Sequence, residues 1–197
     1  MGIIRIAMML LFIIGSAAAL LNGRKKKQPT IVISTDELTQ ETNLSRLIEK
    51  LNDPHWQIRQ AAVEQLGKIK DESAIPGLLN ALTDSDSDVR DAAINSLAQF
   101  GKQVIPGLIE TLQHANQNGR IAAAKALGQI QDQAAVTALI DALEDVSAWV
   151  RVAVAEALGN LHATDAVDAL TEALEDTDDR VQQAAANALK QIGKKDG

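Results

Sequence analysis

The chain has 197 residues, no cysteine, no tyrosine and 2% aromatic residues. That excludes a disulfide framework, thiolate metal sites and thiol nucleophiles, and demands a core of Leu and Ala on closely approaching helices. The formal charge of −7 is uneven: Arg5, Arg24, Lys25, Lys26 and Lys27 are five of the 19 basic residues and no acid precedes Asp36, so residues from Gln28 onward hold 14 basic against 26 acidic groups. A nucleic-acid backbone needs clustered cations, and no nucleic-acid partner is expected for such a body.

Residues 6–21 are sixteen uncharged, mostly apolar residues, and counting Ile3 and Ile4 across Arg5 the run reaches nineteen. A bilayer-spanning helix needs roughly 17–25 such residues. A cleaved secretory signal has the same layout, with Arg5 as its basic start and Ala17 to Ala19 as a small-residue cleavage site. Leu20 and Leu21 extend the run past that cut, and Arg24, Lys25, Lys26 and Lys27 follow at once, a block that resists translocation. Residues 1–21 are therefore expected to be a single-pass membrane anchor. The four cations would lie on anionic lipid heads at about 1 kcal/mol each, with the body on the cytoplasmic side. If the segment is removed, the expectation becomes a secreted or periplasmic binding module. Residues 22–42 form a basic, then polar linker containing Pro29 and several threonines.

From residue 43 to the C-terminus the chain repeats. A leucine recurs as Leu66, Leu97, Leu127, Leu158 and Leu189, at steps of 31, 30, 31 and 31. A basic residue recurs as Arg59, Arg90, Arg120 and Arg151, replaced by Gln182 in the fifth copy. An acid recurs as Asp53, Asp84, Asp145 and Asp176, with His114 in the third copy. A fixed period of this length, too short to bury its own apolar face, requires stacked neighbours.

Each copy predicts two short helices. In the first, Ile75, Leu78, Leu79 and Leu82 lie at i, i+3, i+4 and i+7, and an opening segment repeats this register with Leu44, Leu47, Ile48 and Leu51. Pro76 and Pro106 fall in the opening turn, where a missing N–H costs nothing. Asp86, Asn116, Ser147 and Asp178 are placed to cap the second helix, which buries Val89, Ala93, Ile94, Leu97, Phe100 and their equivalents. Gly67, Gly128 and Gly159 suit either close packing or an exit turn. Gln182 and Lys190 suit a capping end. The third copy has Gly119 where the others have Val or Ile, which predicts a looser helix start.

The pattern D-x-x-x-x-[VI]-R-x-A-[AV]-x-x-x-L-G-x-[IL], matched by residues 53–69 and 145–161, resembles the HEAT-like repeat of phycobilisome lyases. The resemblance covers residues 43 to about 193. It implies an all-α fold: an α-solenoid superhelix of five two-helix repeats, preceded here by the separate apolar N-terminal helix. Such repeats resemble one another as protein-binding scaffolds, and the fold alone does not specify an activity.

No catalytic residues are expected. The Asp/Arg series recurs, and recurrence points to a structural ladder, because a catalytic set is singular. Deoxyhypusine hydroxylases, which resemble this repeat, carry His-Glu dipeptides for a di-iron centre. Here His55, His114 and His162 are not followed by Glu and occupy different repeat positions, so no metal and no cofactor is expected. A bilin lyase activity would need a chromophore pocket that nothing in the sequence identifies.

The positions two before and one, five and nine after the Arg form a solvent-facing stripe on each second helix. It is mostly amide and carboxylate, and apolar only at Ile121, Trp149 and Val152. These three are expected to form one patch, rimmed by Asn118, Lys125, Glu156 and Asn160, on the concave face of the array. An exposed Trp in such a patch suits a binding hot spot. The alternative is an indole folded as a lid over the seam between repeats, as Trp56 in the first copy can be. The function expected is a non-enzymatic, membrane-tethered scaffold or adaptor for a protein partner. The alternative is an enzyme of bilin lyase-like or metal-dependent hydroxylase-like type.

Overall fold

The computed structural model describes residues 44–193, all of whose regular elements are helical. The expected anchor (residues 1–21), the linker (22–42) and the cations Arg24, Lys25, Lys26 and Lys27 lie outside the described residues. Among the described residues, no helix is long and apolar enough to cross a membrane.

Five helix pairs follow one another. The first helices are α1 (Leu44–Lys50), α3 (Ile75–Ala81), α5 (Ile105–His114), α7 (Val136–Asp141) and α9 (Val167–Glu172). The second helices are α2 (Trp56–Ile69), α4 (Ser87–Ala98), α6 (Gln117–Ile130), α8 (Ala148–Asn160) and α10 (Asp179–Gly193). Each second helix packs on its own first helix and on the second helices of adjacent copies, which makes the array a solenoid.

The periodic apolar residues become two internal rows. Leu47, Leu78, Leu108, Leu139 and Leu170 of the first helices are fully buried, as are Leu66, Leu97, Leu127 and Leu158 of the second. Ala62, Ala93, Ala123 and Ala185 of the second helices are also fully buried. A methyl group at these positions lets adjacent backbones approach, so short helices pack without aromatic side chains.

Pro76 and Pro106 occupy the first turns of α3 and α5, as expected. Asp86 accepts from the Asp88 amide, Asn116 from the Gly119 amide and Asp178 from the Arg180 amide, which caps α4, α6 and α10. Ser147 stands at the equivalent position of α8 but makes no cap bond. Its hydroxyl donates instead to Gln117 Oε1 in the preceding repeat, at 2.9 Å.

The glycines divide between two duties. A Cβ on Gly128 would lie 3.0 Å from Ala157 Cα, and one on Gly159 would lie 2.9 Å from Ala188 Cα. These glycines therefore serve close approach of consecutive second helices. The exit turn is made further on, by Lys70, Gln131 and His162 at φ of 56°, 57° and 49°. In the second copy that left-handed position is Gly101 (φ 64°), and Ala98 takes the packing position.

The start of α6 is not loose. It begins in the same register as its siblings, and Gly119 is buried: a Cβ there would come within 2.8 Å of Thr83 Cγ2. Removing the Val side chain lets the α6 backbone settle against the second repeat. His114 has a separate effect. Elsewhere the Asp at this place accepts the amide two residues on, as Asp84 does from Asp86 at 2.9 Å. His114 makes no such bond. The helix runs on through it, with the Ala115 amide donating to Thr111 O.

Candidate partner-binding face

The recurring Asp and Arg join consecutive repeats. Arg59 Nε and Nη2 donate to both carboxylate oxygens of Asp84, each at 2.7 Å. Arg120 grips Asp145 at 2.6 and 2.9 Å, and Arg151 grips Asp176 at 2.7 and 2.8 Å. The third guanidinium nitrogen donates backward to a turn carbonyl of its own repeat, Asp53 O for Arg59 and Asp145 O for Arg151. Two-point pairs of this kind fix orientation as well as contributing energy.

Burial works against the charge of Asp84 and Asp145. The fork of Arg59 or Arg120, with the amide of Asp86 or Ser147, nevertheless holds each carboxyl below its usual range. In Asp176 the hydrogen bonds from Arg151 dominate, with the same direction. The three arginines are shifted upward by their Asp partners.

Two copies break the ladder. Gln182 keeps the backward bond, Nε2 donating to Asp176 O at 2.7 Å. Arg90 also keeps it, with Nη1 2.7 Å from Asp84 O. The residue that would supply its forward carboxylate is His114, and among the described residues no acid pairs with Arg90.

The stripe on the second helices faces solvent as the spacing predicts. Asp88, Asp91, Asn95 and Gln99 on α4, and Arg180, Gln183, Asn187 and Gln191 on α10, are all exposed. Ile121 and Val152 are half-buried and pack against the core. Trp149 is 53% exposed. The Arg180 guanidinium lies 3.9 Å from the centre of its ring, and Asp178 holds Arg180 by two further bonds of 2.9 and 2.6 Å. This clasp pulls the Asp178 carboxyl down to about 2, chiefly through the Arg180 side chain and amide. The indole is thus covered on one face by a cation of the next repeat and half exposed on the rest. Trp56, by contrast, packs against the core.

The predicted site residues fall into two places. Trp149, Ile121, Asn118 and Lys125 border one groove of about 320 Å³ between α4, α6 and α8. Glu156 and Asn160 border a separate polar hollow of about 260 Å³ with Asn187 and Gln191 of α10. Val152 lines neither. The groove also takes in Ser87, Arg90, Asp91 and Ile94 from α4; the sequence reading placed Arg90 in the ladder, Asp91 on the stripe and Ile94 in the core, and none of the four in the patch. Arg90 was marked by the loss of the following Asp. Arg180 was marked by holding, one repeat on, the stripe position of Trp149.

A larger depression, about 510 Å³, lies between α7 and α9, with acids Asp141, Glu144, Glu172 and Glu175 over Ile140 and Ala169. Among the described residues no three His, Asp or Glu side chains are grouped to hold a metal ion. His55 Nδ1 lies 3.0 Å from Asp53, and His162 Nδ1 lies 3.1 Å from Gln191 O.

The fold is shared with known structures. The chain is 27% identical to a subunit in the complex of CpcE and CpcF of phycocyanin lyase from Nostoc sp., covering 89% of this chain and 70% of that one, with a TM-score of 0.58. Human deoxyhypusine hydroxylase, in complex with glycerol, matches at 21% identity over 77% of this chain and 74% of its own, with a TM-score of 0.52. A designed armadillo repeat protein in complex with the peptide (KR)4 matches at 20% over 80% and 85%, with a TM-score of 0.51. No curated sequence matches the chain significantly. The HEAT-repeat family model matches residues 44–109 and 105–190, and the chain therefore belongs to the HEAT repeat family.

Proposed function

We propose that the chain is a non-catalytic scaffold that holds a protein partner against the exposed face of its second helices. The groove bordered by Trp149 and Ile121 is its apolar centre. The observation that carries this reading is an indole left 53% exposed in one groove with half-buried Ile121, on a stripe that is mostly amide and carboxylate. A rigid aromatic with a polar surround is the make-up of an interface hot spot. Stacked repeats preform such a surface and reduce the ordering entropy lost on binding. In this reading the face is the concave wall of the solenoid, residues 1–21 tether it to a membrane, and the array stands on the cytoplasmic side.

Photo-crosslinking from position 118 at the rim of the groove, in native membranes, with exposed position 110 on α5 as a control, tests the proposal. Trp149→Ala is expected to abolish partner capture with little change in Tm. Unchanged capture, or a partner trapped equally from both positions, would overturn it. Mass spectrometry of the mature N-terminus tests the tether, since a chain starting at Leu20 has none.

The likeness to a phycocyanin lyase subunit favours a second reading, action on a bilin. It is checked by the visible absorbance of the protein purified from a bilin-producing host. A stoichiometric chromophore band supports a lyase-like role, and its absence favours the scaffold.

A further inference from the structure

We infer that Arg90 is a receptor for a carboxylate carried by the partner. The occupant is an extended protein segment in which an Asp or Glu side chain stands beside an apolar one. This inference rests on the scaffold reading and names the chemistry that the groove selects.

Three sister residues supply the geometry. Arg59, Arg120 and Arg151 each use Nη1 to hold a turn carbonyl of their own repeat and turn Nε and Nη2 onto a carboxylate of the next. Arg90 is held by the same backward bonds, to Asp84 O at 2.7 Å and Ser85 O at 3.0 Å. Its other two nitrogens meet no acid among the described residues, because His114 stands where Asp145 and Asp176 stand in later repeats. A guanidinium oriented in advance, with its fork open, binds a carboxylate at two points with little further loss of freedom.

The surroundings agree with that occupant. Arg90 lines the same groove as Ile121, Trp149 and Lys125, with Asp91 as its one acid. On its lining two cations stand against one anion, on a chain of net charge −7. Ile121 and the indole supply an apolar bed for the residue beside the acid. Cationic segments are disfavoured here by Arg90 and Lys125.

The test uses the full chain in non-ionic detergent and two dansylated hexapeptides, one alternating Leu and Glu, the other alternating Leu and Gln. Anisotropy is expected to show the Glu peptide binding at least about tenfold more tightly. Arg90→Gln reproduces the residue that stands as Gln182 in the fifth copy, so the fold tolerates it. His114→Asp fills the fork from within the chain. Each substitution is expected to remove the Glu preference and leave the weak Gln peptide unaffected. Trp149→Ala is expected to weaken both peptides alike. Equal binding of the two peptides, or a Glu preference that survives His114→Asp, would overturn the inference, as would no binding of either. Failure of the scaffold reading has a different signature, namely partner capture from membranes that survives Trp149→Ala.

Discussion

The seam between α6 and α8 and the seam between α4 and α6 join equivalent helices, yet they are sewn differently. Across α6/α8 the Arg120–Asp145 pair, Ser147 Oγ to Gln117 Oε1 at 2.9 Å, Gln131 to Asn160 O at 3.0 Å and Gln133 to Leu161 O at 2.9 Å all cross the join. Gly128 also lets the helices approach closely. Across α4/α6, among the described residues, the side-chain bond is Gln129 Nε2 to Asn95 Oδ1, at 3.5 Å. Ala98 replaces the glycine, and Arg90 has no acid to hold. Both seams bury their apolar residues almost completely, Ile94 and Ala122 on one side, Ala126 and Ala157 on the other. Continuity of the solenoid thus rests on the apolar rows, and the polar sutures can be withdrawn at one seam. The withdrawal leaves a groove and an unclaimed cation there.

The largest expected effect comes from the tight seam. Gly128→Val puts a branched side chain 3.0 Å from the Ala157 backbone, and overpacking of this kind costs about 3 kcal/mol. Chemical denaturation should report a lower midpoint. A variant as stable as wild type would mean that α6 and α8 can part freely. Next comes the ladder. The Arg120 and Asp145 side chains retain 16% and 12% exposure, and Arg120→Gln leaves Asp145 largely desolvated without its counter-charge, at roughly 2 kcal/mol. Arg90→Gln should cost less than about 0.5 kcal/mol, since no pair is broken. The contrast between the two is the sharper measurement.

Much of this organisation was legible in the sequence, because helix geometry translates spacing directly into position. The period is read directly from residues that recur about every 31 positions, and the Leu rows and the solvent phase of the stripe follow from i, i+3 and i+4 relations within one helix. What escaped depends on partners about 30 residues away. Whether Gly128 serves a turn or a contact cannot be read locally, since both uses need only a missing Cβ. The turns fell instead to Lys70, Gln131 and His162, which carry no local signature for a positive φ. Ser147 has the chemistry of a cap, but Gln117 takes its hydroxyl. The patch was read as continuous because Trp149 and Val152 share a helix face. Their different depths follow from neighbours: Arg180 claims one face of the indole, while Val152 packs against the core.

Acid should erase part of the difference between the seams. Asp84, Asp145 and Asp176 have folded-state pKa values below their ordinary ones. An unfolded chain therefore binds protons first as the pH falls, and the rungs' stabilisation, complete above about pH 4, is lost as pH drops through the lowered values. Each rung should lose less by protonation than by deletion, since a neutral acid still accepts hydrogen bonds. Melting temperature against pH should fall less steeply in Asp145→Asn than in wild type. Parallel curves would show that Asp145 contributes nothing in its charged form.

A small effect of opposite sign would convert one seam into the other. His114→Asp supplies the α4/α6 join with a carboxylate opposite an arginine already held in place by Asp84 O. Forming a partly exposed pair brings about 0.5–1 kcal/mol, a Tm rise of a few degrees for a domain of this size. The same Asp should accept the amide of Asn116, as Asp84 accepts that of Asp86, and so end α5 where its siblings end. Hydrogen exchange provides the local reading: amides at the start of α6 should slow, and those of α8 should not change. Stabilisation without local slowing would mean that the new acid acts through net charge elsewhere, and that the open fork of Arg90 is not what distinguishes the two seams.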